Sequence, residues 1–341
     1  DRSAINGVAL HAGTHRRMGD WQRGGLNLKY LERIPTRYSS LVQLNPGHLG
    51  LARIEVRGQD SFIVRIRTGA RSIWTSVPEV DWIGYSIPIT WTGDYLLNGM
   101  SATRNTVFKL DGANEFDVVA ESRDFITVAI RRSVLSRMIS GLIGRDFAIS
   151  VDTHRQLQVP QAHRDRLLVI LWKPLAWAPS NGSAATFGRL PRSVEVAMIE
   201  AIANWAIEAD QLNYSETVNR KSELRIVRDT LRKIREADCS LLTIADLCNM
   251  AGLGKSRLHQ AFSEIYGISP GAYLYRLRLT SIREKLLSEE APPRSVKEVA
   301  IQHGFLSTGR FARAYRYMFG ELPGQTLRKR MLSSGSVHRR G

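Results

Sequence analysis

Leu242-Thr-Ile-Ala-Asp-Leu-Cys-Asn-Met-Ala-Gly-Leu-Gly-Lys-Ser-Arg-Leu-His-Gln-Ala-Phe262 is followed closely by Tyr266-Gly-Ile-Ser-Pro270. The same order of residue types returns in Ser295-Val-Lys-Glu-Val-Ala-Ile-Gln-His-Gly-Phe-Leu-Ser-Thr-Gly-Arg-Phe-Ala-Arg-Ala-Tyr315, followed by Phe319-Gly-Glu-Leu-Pro323. Leu258, Phe262, Gly267 and Pro270 recur as Phe311, Tyr315, Gly320 and Pro323, each 53 residues on. Four positions in one register mark a duplicated unit. Each copy opens on a helix start: Thr243 with Asp246 resembles a capping box, and Ser295 with Glu298 is one. Gly252 and Gly304 then interrupt the copies, as a tight turn between two helices requires. Gly254 and Ser307 stand where the second helices are capped. The pattern predicts two helix-turn-helix units.

Helical spacing sorts the second helix of each copy into two faces. Leu258, Phe262 and Ile265 share one face of the first, and Phe311, Tyr315 and Met318 one face of the second. Ser256, Gln260 and Ser263 lie opposite in the first copy, with His259 on the flank. Gly309, Arg313 and Arg316 point outward in the second, with Arg310 and Ala312 flanking. Arg can pair bidentately with guanine and Gln with adenine, whereas Arg or Lys also holds phosphates. Two such helices on one chain can enter adjacent major-groove segments, about 34 Å apart. Between the copies, Tyr273 to Leu287 reads as a helix ended by Pro292-Pro293, and it is expected to set that spacing.

Charge points the same way. The 341 residues carry a net charge of +16. From Lys221 to Gly341 there are 22 Lys and Arg against 11 Asp and Glu, so +11 of that excess lies on the duplicated segment. A basic balance of this kind suits a nucleic-acid partner.

The segment from about Leu224 to Arg330 resembles the DNA-binding domain of AraC/XylS-family transcription regulators. Ile244-Ala-Asp-Leu, Ala251-Gly252, Leu258, Phe262 and Tyr266-Gly-Ile-Ser-Pro carry the likeness in the first half. Val299-Ala, Gly304-Phe-Leu-Ser, Arg310-Phe-Ala-Arg-Ala-Tyr and Phe319-Gly-Glu-Leu-Pro carry it in the second. Carried over position by position, the resemblance implies base readers at Ser256, His259 and Gln260, and at Thr308, Gly309, Ala312 and Arg313. Gly309 and Ala312 depart from the larger polar readers of the family. Arg257, Arg310 and Arg316 complete the expected DNA contacts. The family implies double-stranded promoter DNA as partner, activation through RNA polymerase, a small-molecule effector and a homodimer.

The fold class expected is α+β. Residues 26–130 show short apolar runs punctuated by turns, among them Ser61-Phe-Ile-Val-Arg-Ile-Arg67, Trp82 to Trp91 and Phe125-Ile-Thr-Val-Ala-Ile130. Such spacing suggests a sandwich or barrel, and the resemblance implies a β-barrel-like, cupin-like domain. Helices are expected at 133–144, 163–172 and 192–212. Residues 1–218 therefore form an expected effector and dimerisation domain, 222–332 the double helix-turn-helix domain, and 333–341 a tail. The stripe Val196, Ile199, Ala203 and Ala206 is either a dimer face or buried against the same chain's strands. Trp74, Trp82, Trp91, Trp172, Trp177 and Trp205 either line a ligand pocket or belong to ordinary core.

Other classes find less support. His11 and His15 sit in a Gly- and Arg-rich lead, His48 in a turn, and no His-x-His pair occurs, so neither a metal nor another cofactor is expected. No phosphate loop or nucleophile elbow is present. No apolar run approaches the ~18 residues of a membrane span, and Cys239 and Cys248 alone suggest a reducing, cytoplasmic setting. The alternative to a regulator is a metal-dependent or DNA-modifying enzyme targeted by its helix-turn-helix units.

Overall fold

The computed structural model describes residues 36–112, 115–149, 155–178, 185–211, 216–217, 222–237, 241–288, 293 and 295–335. Its N-terminal strands are β1 (Thr36–Gln43), β2 (Ala52–Arg57), β3 (Ser61–Thr68), β4 (Ser72–Pro78), β5 (Trp82–Trp91), β6 (Tyr95–Leu97), β7 (Met100–Ser101), β8 (Thr106–Asp111), β9 (Phe116–Ala120) and β10 (Arg123–Arg131). Helices α1 (Arg132–Ile143), α2 (Gln161–Leu175) and α3 (Arg192–Gln211) follow, with strands β11 (Arg155–Gln158), β12 (Ala185–Arg189) and β13 (Glu216–Thr217) among them. The larger sheet runs β12-β2-β3-β10-β5-β8-β11-β13, and the smaller one β1-β4-β9-β6-β7.

Alternation decides which face each side chain covers. In β3 and β10, Phe62, Val64, Ile66, Phe125 and Ala129 point between the two sheets. Ile63, Ile126, Val128 and Ile130 point the other way, onto α1, α2 and α3. A strand buried on both faces reads as an unbroken apolar run, which is why β10 was conspicuous. Ile199, Ile202, Ala203 and Trp205 of α3 pack under this sheet. Ile199 and Ala203 of the expected stripe are thus core, while Val196 is 38% exposed; the stripe is not a dimer face. Trp205 stacks on His163 there, with ring centroids 4.8 Å apart.

Of the expected sandwich or barrel-like, cupin-like domain, the sandwich is the form taken: among the described residues the sheets lie face to face without closing into a barrel, and each ends on edge strands, β12 and β13 in one, β1 and β7 in the other. A barrel needs a ladder across those edges. At the β1 edge a helix of the C-terminal half packs instead, so the domain is an open sandwich.

Among the described residues, seven helices make the C-terminal half: α4 (Ser222–Glu236), α5 (Ile244–Ala251), α6 (Lys255–Tyr266), α7 (Pro270–Leu287), α8 (Val296–Gln302), α9 (Thr308–Phe319) and α10 (Pro323–Gly335). Two separate cores divide them. Leu224, Val227, Leu231 and Ile234 of α4 close the first with Leu247, Leu258 and Phe262. Leu279, Ile282 and Leu286 of α7 close the second with Val299, Phe311 and Tyr315. Helix α7 supplies Tyr273 and Leu274 to the first core as well, so it runs from one unit into the other.

The smaller sheet serves both halves. Leu41, Trp74 and Val118 face the larger sheet. Their neighbours Val42, Ile73 and Val119, with Leu44, belong to the core of the first helix-turn-helix unit. The stack is therefore helices, large sheet, small sheet, helices. Among the described residues, no helix is long and apolar enough to cross a membrane.

His11, His15, Cys239 and residues 218–221 at the junction of the two expected domains lie outside the described residues, as do residues 336–341 of the expected tail.

Candidate nucleic-acid interface

Each unit begins with its first helix anchored at the N-terminus. Thr243 and Asp246 form a reciprocal capping box, which satisfies two of the four N–H groups that a helix start leaves open. Ser295 accepts from the backbone N–H of Glu298 at 3.1 Å. Gly252 (φ +66°) and Gly304 (φ +80°) take the left-handed conformation at the turns, where a Cβ would be strained. The second helices then start at Gly254, which makes no side-chain cap, and at Ser307, whose Oγ accepts from the Arg310 N–H at 3.4 Å.

The inner faces are closed. Leu258, Phe262 and Ile265 are buried in α6, and Phe311, Tyr315 and Met318 in α9. Each fully buried side chain of this size contributes roughly 2–3 kcal/mol. Tyr315 keeps its hydroxyl satisfied by donating to Thr326 Oγ1 at 3.0 Å. Beside it, the buried Arg283 pairs with Glu321 at 2.8 Å and lies over the Phe319 ring at 4.7 Å. Burial pushes the Tyr315 hydroxyl up to about 12, so it stays a donor.

The opposite faces are open. Ser256, His259, Gln260 and Ser263 are exposed on α6; Thr308, Gly309, Arg310, Arg313 and Arg316 are exposed on α9, and Ala312 is half-buried. Of the expected contacts, Arg257 stands apart. It is half-buried, its Nη2 donates to Glu223 Oε1 at 2.7 Å and its Nη1 to Gln260 Oε1 at 3.2 Å. This Arg ties α6 to α4 and holds the Gln260 amide, which fits a supporting role better than a contact of its own. His259 Nδ1 lies 3.4 Å from Ser263 Oγ. Among the described residues, Arg310, Arg313 and Arg316 have no carboxylate partner, unlike Arg257 and Arg283.

Two exposed side chains beside this face went unnoticed in the sequence. Tyr317 is 73% exposed and Leu306 88%. Tyr317 stands four residues after Arg313, on the same side of the helix, so helical spacing alone could have found it. Leu306 belongs to the turn, where spacing gives no signal.

A helix-turn-helix domain model matches residues 247–329. Over 91 residues the chain is 38% identical to "XylDLEGF operon transcriptional activator 1" of Pseudomonas putida, covering 27% of this chain and 28% of that protein. It is 28% identical over 83 residues to "HTH-type transcriptional regulator ExsA" of Pseudomonas aeruginosa, covering 24% and 29%. A solved structure, "a probable AraC family transcriptional regulator" from Rhodopseudomonas palustris CGA009, is 36% identical; the likeness covers 31% of this chain and 97% of that one, with a TM-score of 0.29. The duplicated segment is a helix-turn-helix domain of the AraC/XylS type. The aligned region spans less than a third of the length of these two curated relatives. The helix-turn-helix model, at 247–329, falls within the duplicated segment, so the AraC/XylS likeness rests on the two units and not on the sandwich.

Proposed function

We propose that this chain is a sequence-specific DNA-binding transcription regulator that activates a promoter, with α6 and α9 reading two adjacent major-groove segments. One observation carries the reading. Two repeated units close around separate cores and leave the same helical face open, and on α9 that face holds three arginines without a carboxylate partner among the described residues. An unpaired guanidinium keeps its fork available for guanine O6 and N7. Arg313, in mid-helix, takes the base-reading role; Arg310 and Arg316 hold phosphates on either side. Thr308 and the α9 N-terminus add donors to a phosphate. On α6, Ser256, His259 and Gln260 read, with Gln260 steadied by Arg257.

In this reading residues 222–332 bind DNA, and residues 1–218 sense an effector and dimerise. Activation proceeds through RNA polymerase, and the chain is a cytoplasmic regulator rather than an enzyme. An effector site is supported by an apolar cavity of about 70 Å³ between the sheets, lined by Trp74, Trp82, Tyr95 and Phe125 among others. The buried Trp82 Nε1 makes no hydrogen bond, so an apolar molecule with one acceptor group would find a donor in this wall. Ligand pockets usually run to roughly 300 Å³ or more, so the sheets would have to part to admit it.

Selection of duplexes from a randomised library by the full-length chain, with genome-wide mapping of bound DNA, tests the proposal. A motif of two blocks about one helical turn apart is expected, bound at least ~1,000-fold more tightly than random DNA at the same salt. Equal binding to selected and random duplexes would overturn it.

A further inference from the structure

The last carbonyls of a helix have no partner within it and must find donors elsewhere. Gly320 and Gly267 cap α9 and α6 in the left-handed conformation, returning N–H groups to Arg316 and Ser263. Further donors at these two helix ends come from outside the helix-turn-helix units.

At α9, Met318 O accepts from the Gly47 N–H at 3.1 Å and from Gln43 Nε2 at 3.0 Å. Gln43 is 3% exposed, and its amide also donates to Asn45 O and Gly47 O, both at 2.8 Å, which fixes the loop around it. At α6, Tyr266 O accepts from Arg71 Nη2 at 3.0 Å, and the guanidinium lies at the negative end of the helix dipole. Tyr266 and Met318 occupy nearly the same place in the two repeats, one residue out of register.

The two sets of donors are themselves joined. The Leu44 N–H donates to Arg71 O at 2.7 Å, and the Arg71 N–H donates to Asn45 Oδ1 at 2.7 Å. An unbroken run of hydrogen bonds therefore leads from Tyr266 of α6, through Arg71 and the 43–47 loop, to Met318 of α9. It crosses between two units whose apolar cores are separate and which otherwise share helix α7. The outward faces of both reading helices stay exposed, so the sandwich holds their C-terminal ends without covering the surface that meets DNA.

We propose that Arg71 and Gln43 are positioning residues for DNA reading: from the sandwich they hold the C-terminal ends of both reading helices in one frame and so set the separation of the two readers. This rests on the reading of α6 and α9 given above. Helix α7 alone would leave the second unit free to swing; the brace removes that freedom before DNA arrives, which favours one spacing of the two groove segments.

Two measurements on the full-length chain test this and separate it from the function on which it rests. Hydrogen exchange without DNA compares the wild type with Arg71→Ala, Gln43→Ala and the double variant, in peptides covering 44–50, 264–270 and 316–322. Faster exchange in all three segments of the double variant is expected, with Arg71→Ala acting on 264–270 first; unchanged exchange in folded variants would overturn the brace. The second measurement uses the duplex that the wild type selects, and the same duplex with one base pair inserted between its halves. The wild type should favour the first over the second, and the double variant should narrow that ratio about tenfold with affinity for random DNA unchanged. An unchanged ratio, or tighter binding to the selected duplex, would overturn positioning. Should Gln43→Ala fail to fold, Arg71→Ala alone carries both measurements with a smaller expected narrowing, and Arg71→Lys should restore part of it. Failure of the wild type to select any duplex would refute the DNA-reading function, while the exchange result would still decide whether the brace exists.

Discussion

Replacing Asp117 by Asn removes an ionisable group from the seam between the sandwich and the first helix-turn-helix unit. Asp117 lies in β9, is 1% exposed, and accepts from Thr75 Oγ1 at 2.6 Å. Its buried Oδ2 faces the buried Tyr266 hydroxyl across the seam, and that hydroxyl favours the ionised carboxyl. Burial first, and then the neighbouring Glu115, push the carboxyl from 3.8 up to about 6, against smaller opposing effects from Thr75, Arg228 and Tyr266. That rise corresponds to roughly 3 kcal/mol, an upper bound on the cost that the ionised form imposes at neutral pH. Because the folded chain holds this proton more tightly than the unfolded one, the stabilisation is complete below pH 3.8 and is lost as pH rises to about 6. Asn keeps an oxygen for Thr75 and carries no charge, so Asp117→Asn should stabilise the protein by about 1–3 kcal/mol near pH 8. Between about pH 8 and about pH 5, linkage predicts that about 1.4 kcal/mol of this advantage disappears. Urea denaturation of both proteins across that range measures it. A variant less stable than the wild type at pH 8, or a gain that does not change with pH, would refute the assignment of a costly buried carboxyl here.

Further outcomes are expected in the C-terminal half. Arg313→Ala should weaken binding to the selected duplex by ~1–3 kcal/mol with a smaller loss on random DNA; equal losses in a filter-binding titration would demote Arg313 to a phosphate contact. Tyr315→Ala should destabilise the second unit by ~3–5 kcal/mol, and Tyr315→Phe by ~1 kcal/mol for the lost bond to Thr326, both read from denaturation of the full chain. Thr243→Ala should cost about 1 kcal/mol by removing a capping box; an unchanged midpoint would mean that α5 does not depend on its cap.

The double unit was legible because its determinants are local. Caps, turn glycines and a helical apolar stripe lie within about twenty residues of one another, and Leu258, Phe262, Phe311 and Tyr315 are buried as their spacing required. The strands of the larger sheet were legible for a related reason: β3, β5 and β10 are buried on both faces and read as apolar runs. The smaller sheet was not. Its strands β1 and β4, Thr36-Arg-Tyr-Ser-Ser-Leu-Val-Gln43 and Ser72-Ile-Trp-Thr-Ser-Val-Pro78, are rich in Ser and Thr. Leu41 to Gln43 and Ser72 to Ser76 lie buried because the larger sheet covers one face and a domain far along the chain the other, and no local pattern records that. The same distance hid Arg71 and Gln43, whose partners lie 195 and 275 residues away. The barrel expectation failed where closure depended on edges that a helix occupies.

The small sheet's outer face bears on modularity. Val42, Leu44, Ile73 and Val119 complete the core of the first helix-turn-helix unit, so the covalent junction near residues 212–221 is not the physical boundary of that unit. A chimera that grafts residues 222–332 onto another sensor would leave Val227, Leu231 and Phe262 short of packing partners and place apolar surface in water, an aggregation hazard. The transplantable object is the helical domain together with the strands it leans on, and a chimera is expected to stay soluble only when the new sensor presents four apolar side chains in the same places.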